Sequence, residues 1–340
     1  MTLTSMDIFC GCGGLTQGMR DAGFTVLAAL DIDPDAVKTF NLNHPNTNVY
    51  KDDIRKFDAT ALKKLLKGQK LHLLAGCPPC QGFSSVRRLN KGKPVDDDRN
   101  DLVNEFLRFI EELEPLTIMM ENVPGLKSYK LFHLLVNKLD ELKYKCDVGI
   151  VDAQNYGVPQ RRKRLVLIGS RLGEIKIAPP SGEKKTVEQT IGYLEKPEDS
   201  EDHLHRILMR HSENVRKRIA CTPKDGGSRK DLPPEFDLRC HKRENIGFRD
   251  IYGRLKWKDV SGTITSGCLN PSKGRFLHPE QDRAITPREA ALLQSFPSTY
   301  QFPTNLSKKS LATLIGNALP PKFSFIQSKN IRDHLEEYLA

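Results

Sequence analysis

A chain of 340 residues exceeds one typical domain and suits two, or one domain carrying a large insertion. Hydrophobic residues at 38% and charged residues at 28% argue against a disordered chain, and no run approaches the ~20 apolar residues needed to cross a bilayer. The formal net charge of +10 favours a polyanionic partner, because lysine and arginine displace counterions from a phosphate backbone. The opening MTLTSMDIFCGCGG lacks the basic start, apolar run and cleavage site of a signal peptide. The chain is therefore expected to be cytoplasmic, nucleoid-associated in a bacterium, with its eight cysteines reduced.

In chain order, short apolar runs alternate with amphipathic stretches. Strands are predicted over residues 5–9, 26–30, 71–75, 116–120 and 164–168. Helices are predicted over 15–22, 34–43, 59–67, 102–113 and 131–142, where apolar residues recur at three- and four-residue spacing. Gly23 and Gly68 stand where helix ends need a residue tolerant of positive φ. Strands alternating with helices imply crossovers, hence an α/β fold with a doubly wound, mostly parallel sheet. The rhythm fails after residue 177. From 178 to 286 the chain is rich in Pro, Gly, Lys and Arg, as in PKDGGSRKDLPPEFDLRCHKREN, and reads as a smaller inserted domain of irregular and β character. Helical periodicity returns over 287–340, which is expected to complete the first domain, 1–177.

Asp7-Ile8-Phe9-Cys10-Gly11-Cys12-Gly13-Gly14 follows a strand and opens a helix at Leu15. Glycines let the backbone approach a ligand, and the helix N-terminus presents free N–H groups. Asp31 ends the next strand about 20 residues on, where an acid can bind ribose hydroxyls. Asp53, after a third candidate strand, is placed to meet an adenine amino group. The pattern is not GxGxxG, so a nucleoside cofactor other than a nicotinamide fits, and a plain tight turn is the alternative.

Gly76-Cys77-Pro78-Pro79-Cys80-Gln81-Gly82-Phe83-Ser84 puts a cysteine just past a buried strand, at the sheet edge where ligands bind. Two prolines would hold the backbone before Cys80 rigid. Cys77 reads as a small buried hydrophobe. A zinc site of Cys10, Cys12, Cys77 and Cys80 is an alternative, opposed by a C-x-C pair inside a glycine turn. A redox pair is another, opposed by the Gly-Phe-Ser loop that follows it. Glu121-Asn122-Val123-Pro124-Gly125 ends a further strand, and Glu121 would point into the crevice holding Cys80, unless it is an ordinary solvated strand-end acid. Gln160-Arg161-Arg162-Lys163-Arg164 leads into an apolar strand, and alternation groups Gln160, Arg162 and Arg164 on one face. Guanidinium groups there can bind phosphate or a base carbonyl, though a solvated charge run is the plainer reading.

Taken in order, DIFCGCGG, GCPPCQGFSS, ENVPG, QRRKR, ITPREAALLQSFP and GNALPP resemble the cytosine-C5 DNA methyltransferases over nearly the whole chain. The segment between QRRKR and ITPRE corresponds to that family's variable target-recognition region. The resemblance implies a Rossmann-like methyltransferase fold, S-adenosyl-L-methionine as cofactor, double-stranded DNA as substrate and no metal. Cys80 would be the nucleophile, Glu121 the residue at N3 of cytosine, and Arg162 and Arg164 the arginines of the base pocket. Asp7, Phe9, Gly11, Gly13, Gly14, Leu15, Asp31-Ile32, Asp53-Ile54, Pro79, Asn317 and Leu319 would form the cofactor pocket. Gln81, Ser84, Asn122, Gln160, Thr263 and Ile264 would face the substrate. Arg161 and the cysteines at positions 10 and 12 depart from the pattern. A monomer is expected, with a cognate restriction nuclease as a candidate partner. Rivals are a tRNA methyltransferase of the same family and a catalytically idle, zinc-stabilised DNA-binding module.

Overall fold

The computed structural model describes residues 2–79, 102–236 and 250–340. Its contacts divide the chain into two compact units: Met1–Tyr156, Lys163–Ser181 and Ala318–Ala340 in the first, Gly157–Arg162 and Gly182–Asn317 in the second.

The apolar runs of the first unit become one seven-stranded sheet, ordered β3-β2-β1-β4-β5-β7-β6. Its strands are β1 (Thr4–Ile8), β2 (Thr25–Asp31), β3 (Asn48–Lys51), β4 (Leu73–Gly76), β5 (Thr117–Asn122), β6 (Lys145–Asp152) and β7 (Lys163–Ser170). The strands from β3 through β5 pair in parallel, while β7 runs antiparallel to both β5 and β6. All residues of β1, β4 and β5 are buried, as expected of strands covered on both faces. The chain reverses its order in the sheet between β1 and β4, the topological switch where such folds bind ligands.

Local chemistry sets the helix limits. Helix α1 (Gly14–Asp21) ends before Gly23, which takes φ 88°. Helix α2 (Pro34–Asn43) starts at Asp33, whose carboxylate accepts from the Asp35 and Ala36 N–H groups, with Pro34 fixing the first turn. Only Thr60–Lys63 of the stretch expected to be helical over 59–67 is α-helix (α3). The next residues tighten into a 3₁₀ turn, and Lys67 and Gly68 take positive φ. Helices α4 (Leu102–Leu113) and α5 (Lys130–Glu141) bury their apolar stripes, with Phe106 and Phe109 joining Met6, Ile8, Leu74 and Ile118 in the core.

The last helix of the chain, Pro321–Leu339, packs on α1. Gly18 permits that approach, because a Cβ there would lie 2.4 Å from the Phe325 backbone nitrogen. Gly76 is equally constrained, since its Cβ would sit 2.5 Å from the Ile8 carbonyl oxygen across β1–β4.

The second unit has an irregular frame. It holds the short helices Val187–Ile191, His203–Arg206 and Glu213–Cys221, then Pro287–Leu293 and Lys308–Asn317. The β character of its described residues is confined to isolated bridges such as Arg254 with Leu277. The two helices between 287 and 317 thus group with this unit, and only the final helix joins the first.

Arg254 is wholly buried and organises this frame. It donates to the carbonyls of Thr222 (2.9 Å), His278 (3.0 Å), Gln281 (2.7 Å) and Ile219 (2.8 Å), and pairs with Asp282. Glu289 is buried too. Burial pushes its pKa up, but the two 2.7 Å bonds from Arg283 outweigh this and hold it low. No helix among the described residues is long and apolar enough to cross a membrane.

Candidate active site

The exit of β1 turns sharply towards β2. The Phe9 and Cys10 N–H groups both donate to the Leu30 carbonyl, at 2.9 and 3.0 Å. Phe9, Gly11 and Gly13 take φ of 68°, 53° and 93°, so the turn depends on left-handed positions. The Gly11 N–H donates to Asp31 Oδ2 at 2.7 Å, and Asp33 N–H to Asp31 Oδ1 at 2.9 Å. Glycine loop and acid therefore form one unit at the carboxyl ends of β1 and β2. Burial pushes the Asp31 pKa up, against the backbone N–H groups that favour its charged form.

A Cβ at Gly11 would meet nothing within 4 Å among the described residues. Gly13 caps α1 without a side chain, and Gly14 and Leu15 form its buried first turn. Next to Asp31, Ile32 is 62% exposed, an apolar surface at the strand end. The exit of β3 joins this edge, because Asp52 N–H donates to the Asp31 carbonyl at 3.2 Å. Asp53 pairs with Arg55 at 2.6 Å, which draws its pKa down, while Ile54 is buried. Acid, apolar platform, glycine turn and uncapped helix start form a donor set that fits a nucleoside carrying a charged tail.

Asp7 lies under the loop. It is buried in β1, its Oδ2 accepts from the Thr16 hydroxyl at 2.6 Å, and its Oδ1 has no hydrogen-bond partner among the described residues. Burial, opposed by the Thr16 bond, lifts its pKa to about 8. Leu319 is buried in the first unit, whereas Asn317 is exposed in the second.

At the next strand ends, β4 leads through Cys77 to the buried Pro78 and half-buried Pro79. Cys80, Gln81 and Ser84 lie outside the described residues. Asn122, buried at the end of β5, donates its amide to the Pro78 carbonyl at 3.0 Å and accepts from the Val123 N–H at 2.7 Å. Its neighbour Glu121 is 8% exposed, and Arg164 Nε on β7 stands 2.7 Å from Glu121 Oε1. The antiparallel β5–β7 register creates this pair, setting Glu121 opposite Val166 and Asn122 opposite Leu165.

The residues of the second unit expected from sequence to line the base pocket or face a substrate are bonded among themselves. Gln160 is fully buried, donating to the Leu293 carbonyl at 3.0 Å and to Gln294, and accepting from Ile264 N–H at 3.1 Å. Arg162 donates to the Ile264 and Gly316 carbonyls at 3.0 and 3.2 Å. Thr263 donates to the Arg161 carbonyl at 2.6 Å. The alternation read from sequence is present in burial, with Gln160 and Arg162 buried between exposed Arg161 and Lys163, although β7 starts only at Lys163.

Sequence reasoning passed over Thr16 and Arg108. Arg108 on α4 donates to the Ile54 carbonyl at 2.6 Å and so fixes the loop carrying Asp53; flanking Glu105 and Glu112 were its only signal. Cys10 and Cys12 are buried, and burial raises both thiols, Cys12 to about 12. Among the described residues no group of three or more His, Cys, Asp or Glu side chains is arranged to hold a metal ion.

A switch-point sheet with a glycine loop bonded to a strand-end acid, and an acid–arginine pair two strands away, defines a Rossmann-like methyltransferase. The chain belongs to the C-5 cytosine-specific DNA methylase family, whose model matches residues 3–332, and is a DNA cytosine-5 methyltransferase. It is 37% identical to the Type II methylase M.HgiDII of Herpetosiphon aurantiacus, over 97% of this chain and 95% of that one. Identity to the Type II methyltransferase M1.HphI of Haemophilus parahaemolyticus is 33%, over 94% and 84% of the two chains. Among solved structures, a DNA modification methyltransferase encoded within an E. coli prophage superposes with a TM-score of 0.75 at 25% identity, covering 98% of this chain and all of that one.

Proposed function

We propose that this enzyme uses S-adenosyl-L-methionine to methylate carbon 5 of a cytosine flipped out of double-stranded DNA, with Cys80 as nucleophile. One observation carries the reading: the Asn122 amide fastens the Pro78 carbonyl, two residues before Cys80, to the strand that carries Glu121. Pro78 at the exit of β4 and Glu121 on β5 thus share the anchor Asn122, one and two strands from the glycine loop of β1.

Carbon 5 of cytosine is a poor nucleophile. A thiolate adding at carbon 6 turns the ring into an enamine and builds electron density at carbon 5. Glu121 would engage N3 and ease that addition, held in place by Arg164. Arg164 would hold the base carbonyl and support the thiolate electrostatically, while Arg162 would brace the Ile264 and Gly316 backbone. Once carbon 5 carries the new methyl group, loss of its proton to water would expel the Cys80 thiolate and restore aromaticity. The cofactor, when bound, supplies an electrophilic methyl group on a sulfonium centre. Asp31 would take its ribose hydroxyls, Ile32 and Ile54 its adenine faces, Asp53 the adenine amino group, and the glycine loop its charged tail.

The target must leave the stack, at a cost of a few kcal/mol recovered in pocket and phosphate contacts. Exposed basic residues of the second unit would provide the latter. Its buried Arg254 and Arg288 are committed to internal partners, so net charge overstates the phosphate-binding capacity. The Type II names of the two relatives support pairing with a restriction nuclease that reads the same DNA site. The test is to incubate the enzyme with labelled cofactor and either plasmid or tRNA, then map modified cytosines. Methylation of duplex DNA within a fixed sequence context is expected, weakening steeply with salt. Label confined to tRNA would overturn the substrate assignment.

A further inference from the structure

We infer that His44 is a positioning residue for the cofactor loop, joining the Gly13 backbone at the start of α1 to Arg20 in its last turn. The inference rests on the S-adenosylmethionine reading proposed above. His44 ends α2, its ring is 1% exposed, and it packs on Phe40 with ring centroids 4.7 Å apart. Arg20 Nη1 lies 2.9 Å from His44 Nδ1 and 3.0 Å from the Asn43 carbonyl.

A guanidinium only donates, so Nδ1 is the acceptor and the ring proton sits on Nε2. The ring also bonds the backbone of Gly13. With Nε2 as donor, the acceptor there is the Gly13 carbonyl. That carbonyl also receives the Gln17 N–H at 2.8 Å as α1 begins. Gly13 sits at φ 93° and ψ 16° with no side chain to fix it, and its N–H is held within the loop by the Cys10 carbonyl at 2.9 Å, which leaves its carbonyl side to be fixed from elsewhere. A buried ring, wedged by Phe40 and oriented by Arg20, supplies that restraint. Burial first, and the Arg20 charge second, hold the His44 pKa at about 4, so the ring stays neutral at physiological pH and keeps this donor–acceptor arrangement.

Two near-isosteric substitutions separate the ring's two bonds. His44→Asn keeps an acceptor near the Nδ1 position and loses the donor to Gly13. His44→Gln keeps a donor near the Nε2 position and loses the acceptor for Arg20. S-adenosylmethionine binding to the full chain is measured by titration calorimetry, alongside thermal unfolding and steady-state kinetics. The expected result is a roughly 5- to 10-fold weaker cofactor affinity for His44→Asn, the scale of one lost hydrogen bond. Its cofactor KM should rise in step, with kcat at saturation and the DNA KM within about twofold, while His44→Gln stays near wild type. Equal affinity in all three proteins would overturn the inference, as would equal weakening of both variants in proportion to lost stability. Failure of the wild-type protein itself to bind S-adenosylmethionine would instead overturn the cofactor reading.

Discussion

Arg164 Nε on β7 stands 2.7 Å from Glu121 Oε1 on β5, with the two side chains 17% and 10% exposed. The contact joins strands of opposite direction and holds an acid at the carboxyl end of the parallel sheet. Among the described residues Glu121 Oε1 has no well-aligned hydrogen bond, and its charged partner is this guanidinium.

Glu121→Gln preserves the shape of that side chain but removes its charge and its acid. Single-turnover methyl transfer should slow by roughly 100-fold or more, the scale of a lost general acid, while cofactor affinity stays near wild type. Arg164→Ala should slow the same step with the fold intact. Unchanged single-turnover rates in both variants would remove this pair from the chemistry.

Asp7 predicts a pH dependence of stability. Its folded pKa, about 8, lies above the ordinary carboxylate value of 3.8 because the group is buried. Between those values the folded state holds more protons than the unfolded state, so stability falls as pH rises through that window, by up to ~1.4 kcal/mol per pH unit. Asp7→Asn removes the titrating group and retains an acceptor for Thr16. Melting curves of the two proteins from pH 5 to 8 should therefore diverge, the variant gaining on the wild type as pH rises. Parallel curves would contradict the assignment.

Arg254 tests which basic residues are structural. Arg254→Lys keeps the charge but loses the planar fork that serves four carbonyls and Asp282. It should destabilise the protein by ~3 kcal/mol or more in urea unfolding, the scale of breaking a buried, hydrogen-bonded ion pair. A stable Arg254→Lys protein with weakened DNA binding would place the residue at the phosphates instead.

Much of this architecture was legible in the sequence because its strands are buried on both faces. The apolar runs at β1, β2, β4, β5 and β7 announce themselves whatever they pair with. Strand β6, KCDVGIVD, is less legible because it is an edge strand of intermediate burial whose apolar stretch, Val148–Val151, is short and interrupted by Gly149. The reversed direction of β7 was equally hidden, since an apolar run carries no record of strand polarity. Motif order pointed to Asp31, Glu121 and the arginine strand. What motif order could not reveal were long-range bonds such as Asn122 to Pro78, Arg108 to Ile54 and Arg20 to His44, which exist only once distant segments meet. The inward turn of Arg254 was invisible for the same reason: sequence counts a charge without saying whether it faces phosphate or carbonyl.

The proposed mechanism requires a covalent bond between a cysteine sulfur and the target base. Duplex DNA carrying 5-fluorocytosine blocks the final proton loss, so the enzyme with S-adenosylmethionine should be trapped on it, and peptide mapping of the denatured complex should place the adduct on Cys80. Cys80→Ala should form none. An undiminished adduct with Cys80→Ala, or a wild-type adduct mapping to another residue, would contradict the mechanism.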